Sequence, residues 1–242
     1  MFYFLIAPIL TYNFILIAAA VIPAIFLMIK VYRSDHLERE SPAMLWKLIK
    51  AGVFSSLLAL LGEKVLSYLL DAAVPMDSPY YNILLYFVVV ACVEEGAKYF
   101  LLQRNTWNNP EFDCQYDGVV YAVFVSLGFA LWENISYVMY FGFTTAIVRA
   151  ITAIPGHACF GVFMGAFYGI AKRNDYSGNK SAAWLYRALA FALPALLHGA
   201  YDYIASMEDQ SNTWIFIAYV AVLFLVSFLL VSKTSREDRY IK

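Results

Sequence analysis

Ionisable side chains interrupt several of the most apolar stretches of this sequence. The stretch "ACVEEGAKYF", residues 91–100, places Glu94, Glu95 and Lys98 inside an otherwise apolar segment. Ionisable residues recur inside later apolar stretches, namely Glu133, His157, His198 and Asp202. Carboxylates and imidazoles transfer protons, activate water and bind metal ions. Their presence in such apolar surroundings predicts a reactive or ion-binding centre.

The spacing around Lys98 predicts that one glutamate pairs with this lysine. On a helix, Glu94 lies four residues and Glu95 three residues before Lys98, so either carboxylate can reach the ammonium group. The two glutamates are adjacent and point about 100° apart around the helix axis. One can therefore hold Lys98, as a supporting residue, while the other faces a cavity. The spacing leaves open which glutamate does which.

Four-residue spacings also place other polar groups on common helix faces. His198 and Asp202 share a face, so Asp202 can fix the orientation of the imidazole. Phe129 and Glu133 are spaced in the same way, and Asn134 is placed to form a hydrogen bond between helices. We therefore regard Asp202 and Asn134 as supporting residues of the predicted site.

The composition is that of a membrane protein. Of the 242 residues, 62% are hydrophobic and 14% are charged, and the mean hydropathy is +0.64. A soluble domain has about a quarter charged residues, and several segments here reach the roughly 20 apolar residues that cross a bilayer. We therefore predict an all-α, polytopic helix bundle in the cell membrane, surrounded by lipid. The net charge of −1 gives no indication of nucleic-acid binding.

The apolar segments predict about seven membrane-spanning helices in a single membrane domain that covers residues 1–242. The predicted spans are about 5–29, 51–70, 80–102, 117–141, 146–171, 183–205 and 213–232. The ionisable residues fall in the catalytic bundle, about 50–205, whereas the first and last spans carry none and are expected to be peripheral. A short interfacial segment is expected between the first two spans.

Charged residues near the span ends predict the orientation. Lysine and arginine follow the first, third, fifth and seventh spans, whereas "DAAVPMDSP" and "MEDQSN" contain none. This alternation predicts that the N-terminus is outside and the C-terminus cytoplasmic. Arg149 is expected to extend to the outer interface. Glu63 and Lys64, in the second span, are expected to pair with adjacent helices in a structural role.

Small residues in "PGHACFGVFMGAFYG" predict a close helix contact beside His157. The stripe repeats every four residues and consists of His157, Gly161, Gly165 and Gly169. Small residues at this spacing let another helix approach, so His157 should face protein. Pro155 and Pro194 precede the two imidazoles and are expected to kink their helices.

Ionisable groups in hydrocarbon cost several kcal/mol unless they face protein or water, and those of four successive spans lie at a similar depth. We therefore predict one shared site.

Three motifs of this polar set match a known family. The segments "EEGAK" (94–98), "FALWE" (129–133) and "HGAYD" (198–202) fit E-E-x-x-K, F-x-x-x-E and H-x-x-x-D. In their multi-span context they resemble the PrsW family of bacterial intramembrane proteases, distant relatives of the CAAX prenyl endopeptidases and bacteriocin-processing homologues. The resemblance covers about 50–205.

The resemblance implies cleavage of a membrane-spanning anti-sigma factor, the first cut of regulated intramembrane proteolysis. It also implies that Glu94 and Glu95 are essential acids, with Glu133 and His198 in the same site. Where the CAAX relatives have F-x-x-x-H, this chain has Glu133, and His157 is an imidazole that can replace the missing one in space.

Two mechanisms remain open for peptide hydrolysis. In the first, Glu94 takes a proton from water, Glu95 holds Lys98, and His198 positions the water or the oxyanion. In the second, a metal ion, zinc being the candidate, activates the water. Its candidate ligands are His157, His198, Glu133 and Asp202. The sequence contains no H-E-x-x-H motif, so it does not establish zinc.

Other classes of protein share buried carboxylates and histidines. A proton-coupled membrane transporter is the first alternative, because such groups also form proton relays. The chain shows no inverted repeat, which speaks against it. A catalytically idle membrane scaffold of the same family is the second alternative.

Overall fold

The computed structural model describes residues 2–207 and 210–241, and most of them are helical. The helices are α1 (Phe2–Arg33), α2 (Pro42–Ala73), α3 (Tyr81–Ile83), a π-helical segment (Leu84–Ala91), α4 (Cys92–Thr106), α5 (Asp117–Phe141), α6 (Phe143–Ile151), α7 (Ala153–Tyr176), α8 (Lys180–Ala205) and α9 (Gln210–Arg236). Part of the predicted outer connection after α8, residues 208–209, lies outside the described residues.

The prediction of an all-α polytopic membrane protein is confirmed. Within the described residues, six helical segments are long and apolar enough to cross a bilayer. The third predicted span is also helical, from 81 to 106, but its π-helical segment divides it into shorter pieces. The orientation and the division into a catalytic bundle and peripheral spans stay predictions.

The second span begins earlier than the sequence predicts. Ser41 accepts a hydrogen bond from the Met44 backbone N–H at 3.1 Å, and Pro42 occupies the first turn. A serine cap followed by proline is a strong helix start. The expectation of a separate interfacial segment is therefore wrong in part, because residues 42–50 form the first turns of α2.

The fifth predicted span is two helices rather than one kinked helix. Gly142, with φ of 82°, separates α5 from α6, and the chain turns again at Thr152 before α7. Pro155 lies in the first turn of α7, where a missing backbone N–H costs little. The break therefore precedes the proline, and α6 packs as a short helix of its own.

Close backbone contacts hold α5 between α2 and α7. A Cβ atom on Gly165 of α7 would overlap the carbonyl oxygen of Gly118 on α5. A Cβ atom on Gly52 of α2 would overlap the carbonyl oxygen of Val125 on the same helix. The close approach predicted for the glycine stripe is thus confirmed, and it fixes the distances between the helices that carry the site.

The substitution Gly165→Ala should destabilise the protein by about 1–3 kcal/mol, because the added methyl group forces α7 away from α5. Gly96→Ala is the matched control, since its Cβ would lie 3.6 Å from Phe191, an ordinary contact. Thermal unfolding of the purified variants in detergent measures the difference. Equal midpoints would contradict the packing described above.

Candidate functional site

A polar cavity of about 520 Å³ lies among α2, the π-helical segment, α4, α5, α6, α7 and α8. Its ionisable lining residues are Glu63, Glu94, Glu133, Arg149, His157, His198 and Asp202. The structure therefore gathers around one space the carboxylates and imidazoles that the sequence placed on different spans.

Lys98 lies behind this cavity and is completely buried. Its Nζ atom is 2.7 Å from Glu95 Oε1, 3.2 Å from Glu94 Oε2 and 3.2 Å from His157 Nδ1. The ring of Phe129 covers the ammonium group at 3.9 Å from Nζ to the ring centroid. Lys98 thus contacts both glutamates of its own helix and groups from α5 and α7.

The π-helical segment positions the two glutamates. It ends at Ala91, three residues before Glu94, and α4 continues from there. α8 packs closely on it, because a Cβ atom on Gly199 would lie 2.5 Å from Phe87 Cδ1. A π-helical turn contains more residues than an α-helical turn and often occurs at functional sites. Here it directly precedes the first turn of α4, which carries Glu94 and Glu95.

The two adjacent glutamates have different surroundings. Glu95 is fully buried, and its Oε1 atom contacts both Lys98 and His198 Nδ1, the latter at 2.9 Å. Glu94 lines the cavity and is 6% exposed, and its Oε2 atom lies 3.9 Å from His198 Nδ1. Glu95 is therefore enclosed, whereas Glu94 can contact a molecule in the cavity.

His198 is held between two carboxylates. Besides the Glu95 contact at Nδ1, its Nε2 atom lies 3.3 Å from Asp202 Oδ2. The Phe160 ring stacks on the imidazole, with 4.8 Å between ring centroids. An imidazole can donate at both nitrogens only when it is protonated. Asp202 is thus placed as its four-residue spacing suggested, and the orientation of the ring is fixed on both sides.

His157 connects Lys98 to Glu133. Its Nε2 atom is 2.8 Å from Glu133 Oε2, while Nδ1 faces the Lys98 ammonium group. Since an ammonium group only donates, Nδ1 must accept and Nε2–H must donate to Glu133. Ser126 donates to the His157 backbone oxygen at 2.7 Å. Partners on three sides therefore determine the tautomer and position of this imidazole.

Arg149 belongs to the site, contrary to its predicted position at the outer interface. The arginine does not extend to the outer interface, because its Nη2 atom lies 2.9 Å from Glu133 Oε2. Its Nε–H donates to Asn134 Oδ1 at 2.8 Å, and Asn134 Nδ2 donates to the Ala20 backbone oxygen at 3.0 Å. The turn between α6 and α7 directs Arg149 inward. One feature of the sequence could have indicated this role of Arg149: Glu133, as a carboxylate in an apolar span, needs a positive partner.

Among the described residues, Glu63 does not form the predicted pair with an adjacent helix. Its side chain lines the cavity, and within the described residues no salt bridge joins it to a neighbouring helix. Lys64 is exposed on the outside of the bundle. Because the two residues are adjacent in sequence, their side chains point in different directions around α2, one into the cavity and the other away from the bundle.

The predicted metal ligands do not converge as a set. In the described part of the chain, the ligand atoms of Glu94, Glu95 and His157 lie within 4.8 Å of one another, whereas His157, His198, Glu133 and Asp202 form no such group. The Lys98 ammonium group contacts all three members of the group that does form. As arranged, these donors already surround a positive charge and do not fit a metal ion.

The fold and the cavity define a class: a multi-pass membrane protein whose helices enclose a polar centre with carboxylate and imidazole groups. Residues 40–231 match the family described as PrsW family intramembrane metalloprotease. This match covers most of the chain. The chain belongs to this family and is a membrane peptidase, and the resemblance inferred from the motifs is confirmed.

Curated relatives agree with this assignment. A protein named Protease PrsW from Oceanobacillus iheyensis is 30% identical, over 92% of this chain and 97% of the relative. The Geobacillus kaustophilus protein of the same name is 36% identical, over 81% of this chain and 82% of the relative. The Bacillus subtilis protein of that name is 32% identical, over 88% of this chain and 91% of the relative. No solved structure is significantly similar to the chain.

Replacing Lys98 by methionine should destabilise the protein by about 3–5 kcal/mol, because two buried carboxylates lose their positive partner. The double variant Lys98→Met, Glu95→Gln should recover part of that loss, since it removes one of the unpaired charges. Lys64→Met, at an exposed lysine, is the control. Thermal unfolding in detergent gives the ranking, and a Lys98→Met variant as stable as the control would contradict the central role of this charge.

Proposed function

We propose that the protein is an intramembrane protease that cleaves a membrane-spanning protein with water activated by Glu94. The observation that carries the proposal is the division between the two glutamates: Glu94 lines the cavity, whereas Glu95 is enclosed with Lys98 and His198. A general base has to reach the water it deprotonates, and of the two only Glu94 has that access.

The reaction begins when Glu94 takes a proton from a water molecule in the cavity. The resulting hydroxide attacks the carbonyl carbon of the scissile peptide bond and forms a tetrahedral oxyanion. Glu94 then gives the same proton to the departing amine, and the carbon–nitrogen bond breaks. One carboxyl group thus acts first as a base and then as an acid, and it ends the reaction in its starting state.

His198 is proposed to stabilise the oxyanion or to position the water. It lines the same cavity as Glu94, and contacts to Glu95 and Asp202 hold its ring in place. Donors fixed before the reaction stabilise developing negative charge without a cost of rearrangement. Both ring nitrogens already contact carboxylates, so in this proposal the oxyanion or the water shares the Nε2–H with Asp202, whose 3.3 Å contact is the longer of the two. Glu95 and Asp202 are therefore positioning residues for His198 in this proposal.

We propose that the wall of the cavity next to His198 is completed by Glu133, His157 and Arg149. The contacts of His157 with both Glu133 and Lys98 tie this wall to the helix of the catalytic base. Arg149 neutralises Glu133 at the cavity surface. Glu95 and Glu133 already have positive partners, which leaves Glu94 available for proton transfer.

A zinc ion stays the alternative activator, in line with the metalloprotease description of the family. The Lys98 ammonium group among Glu94, Glu95 and His157 argues against it. Extensive chelation of the purified protein, followed by metal analysis, should leave proteolysis of a reconstituted substrate unchanged. Loss of activity that returns with zinc would replace this mechanism by the metal-dependent one.

The proposed substrate is a membrane-spanning anti-sigma factor, cleaved in regulated intramembrane proteolysis. This part of the proposal rests on the family resemblance. A cavity within a helix bundle also suits a substrate that arrives through the bilayer rather than from solution.

Substituting Glu94 by glutamine should reduce cleavage of a co-expressed, tagged anti-sigma factor by roughly 100-fold or more, because the base is lost. The protein should remain folded at normal levels in the membrane. Glu95→Gln should lower both cleavage and thermal stability, since Lys98 and His198 each lose a partner. Immunoblots of substrate and enzyme, with unfolding midpoints, separate the two effects. Normal cleavage by Glu94→Gln would refute its role as the base.

The same set of proteins tests the other two classes. A transporter would carry a proton-dependent flux in vesicles that Glu94→Gln abolishes, while the tagged substrate stays intact with the wild-type protein. A catalytically idle scaffold would leave the substrate intact and carry no flux. Cleavage by wild type without flux is the outcome expected here.

A further inference from the structure

The connections at one end of the bundle bury a second group of carboxylates. This acidic cluster consists of Asp35, Glu40, Asp113, Asp117 and Asp238, with Cys114 beside it. Asp117 begins α5, and Glu133 lies 16 residues further along, so the cluster is ~24 Å from the membrane cavity at 1.5 Å per residue. The proteolytic mechanism uses none of these residues.

Three distant segments of the chain meet at the acidic cluster. They are the α1–α2 connection, the α4–α5 connection and the tail after α9. The Ile241 N–H donates to the Asp113 backbone oxygen at 2.6 Å, and the Gln115 N–H donates to the Arg239 backbone oxygen at 3.0 Å. These backbone contacts close the cluster from the tail side and leave its carboxylates little access to solvent.

Three of the five carboxylates are almost completely buried, whereas Asp113 and Asp238 are partly exposed. Asp35 and Asp117 are each 1% exposed and Glu40 is 5% exposed. Burial, followed by the nearby charge of Asp238, raises the pKa of Asp35 to about 7. Burial likewise raises the pKa of Glu40 to about 8. Burial and mutual repulsion, rather than pairing with a cation, therefore dominate the surroundings of these two carboxyl groups.

Helix and turn capping accounts for only some of the carboxylate oxygens. Asp117 Oδ2 accepts from the backbone N–H groups of Cys114 at 2.7 Å and Asp113 at 3.0 Å. Asp238 Oδ1 accepts from the Tyr116 N–H at 2.8 Å. These bonds hold the α4–α5 connection and the tail in place, yet they occupy a single oxygen of each carboxylate.

The remaining oxygens point to a ligand. Within the described residues, both carboxylate oxygens of Asp35 and the Oδ2 atom of Asp238 are buried without a partner at hydrogen-bond distance and angle. The backbone N–H of Glu38 is the donor that acts on Asp35 from outside that range. The charge of Asp35 acts on Asp238, Glu40 and Asp117, so its carboxylate lies close to the rest of the cluster. Buried carboxylates are ordinarily paired or bind a metal ion. The nearest arginines, Arg39 and Arg239, are exposed.

We propose that the acidic cluster binds a divalent cation that joins the α1–α2 connection, the α4–α5 connection and the C-terminal tail. Carboxylate oxygens are the ligands that calcium, magnesium and manganese prefer. The ligand atoms of Asp113, Cys114 and Asp117 lie within 4.8 Å of one another, which also suits zinc through the thiol. Each of these ions would use the carboxylates as ligands, and only zinc would also use the thiol of Cys114.

The test uses the full-length protein, purified in detergent and freed of metal with EDTA. Calcium, magnesium, manganese or zinc chloride is added singly while the thermal unfolding midpoint is followed. At least one cation should raise the midpoint, because an ion that binds the folded state stabilises it. Asp35→Asn and Asp238→Asn should each abolish that rise. Glu237→Gln, which removes an exposed acid of the same tail, should keep it.

Two further variants locate and identify the ion. Glu94→Gln alters the membrane cavity and should leave the rise unchanged, whether or not the protein is a protease. Cys114→Ser should abolish a rise caused by zinc and retain one caused by calcium, magnesium or manganese. If no cation raises the wild-type midpoint, or if Asp35→Asn and Asp238→Asn respond as the wild type does, the proposal is overturned.

Discussion

The structure depends on one buried positive charge, the ammonium group of Lys98. An ion taken out of water costs several kcal/mol, and close partners have to offset that cost. Two partners, Glu94 and Glu95, come from the same helix, and His157 comes from α7. The ring of Phe129 on α5 covers the group. Lys98 is therefore satisfied only when α4, α5 and α7 are packed together, which couples assembly of the site to assembly of the bundle.

The contacts spread from this charge in two directions. On one side Glu95 holds His198, and on the other His157 holds Glu133, which also pairs with Arg149. Each of these contacts joins side chains from two different helices. The rigidity that results is useful for catalysis, because donors that are already oriented need not rearrange during the reaction. The helix contacts at glycine residues, without intervening side chains, give the same rigidity to the backbone.

Much of the fold and the polar set could be predicted because both depend on local patterns. Apolar length predicts the spans, and ionisable residues within them predict the site. The errors arose where the chain changes direction inside apolar sequence. Gly142 and Thr152 separate α6 from its neighbours, yet hydropathy does not change there. This break turns Arg149 inward, so the arginine could not be assigned to the site from its distance to the span end. The acidic cluster was missed because its residues come from three separate connections.

The sequence by itself determined that this is a polytopic helical membrane protein, and its motifs determined the family. Helical spacing also showed that Glu94 and Glu95 both reach Lys98 while pointing in different directions. Only the tertiary structure decided which one faces the cavity. That choice depends on the helices that cover each side of α4: α8 encloses Glu95 with His198, while Glu94 lines the open cavity. Spacing fixes the angle between side chains on one helix, but it contains no information about which helix packs against each face.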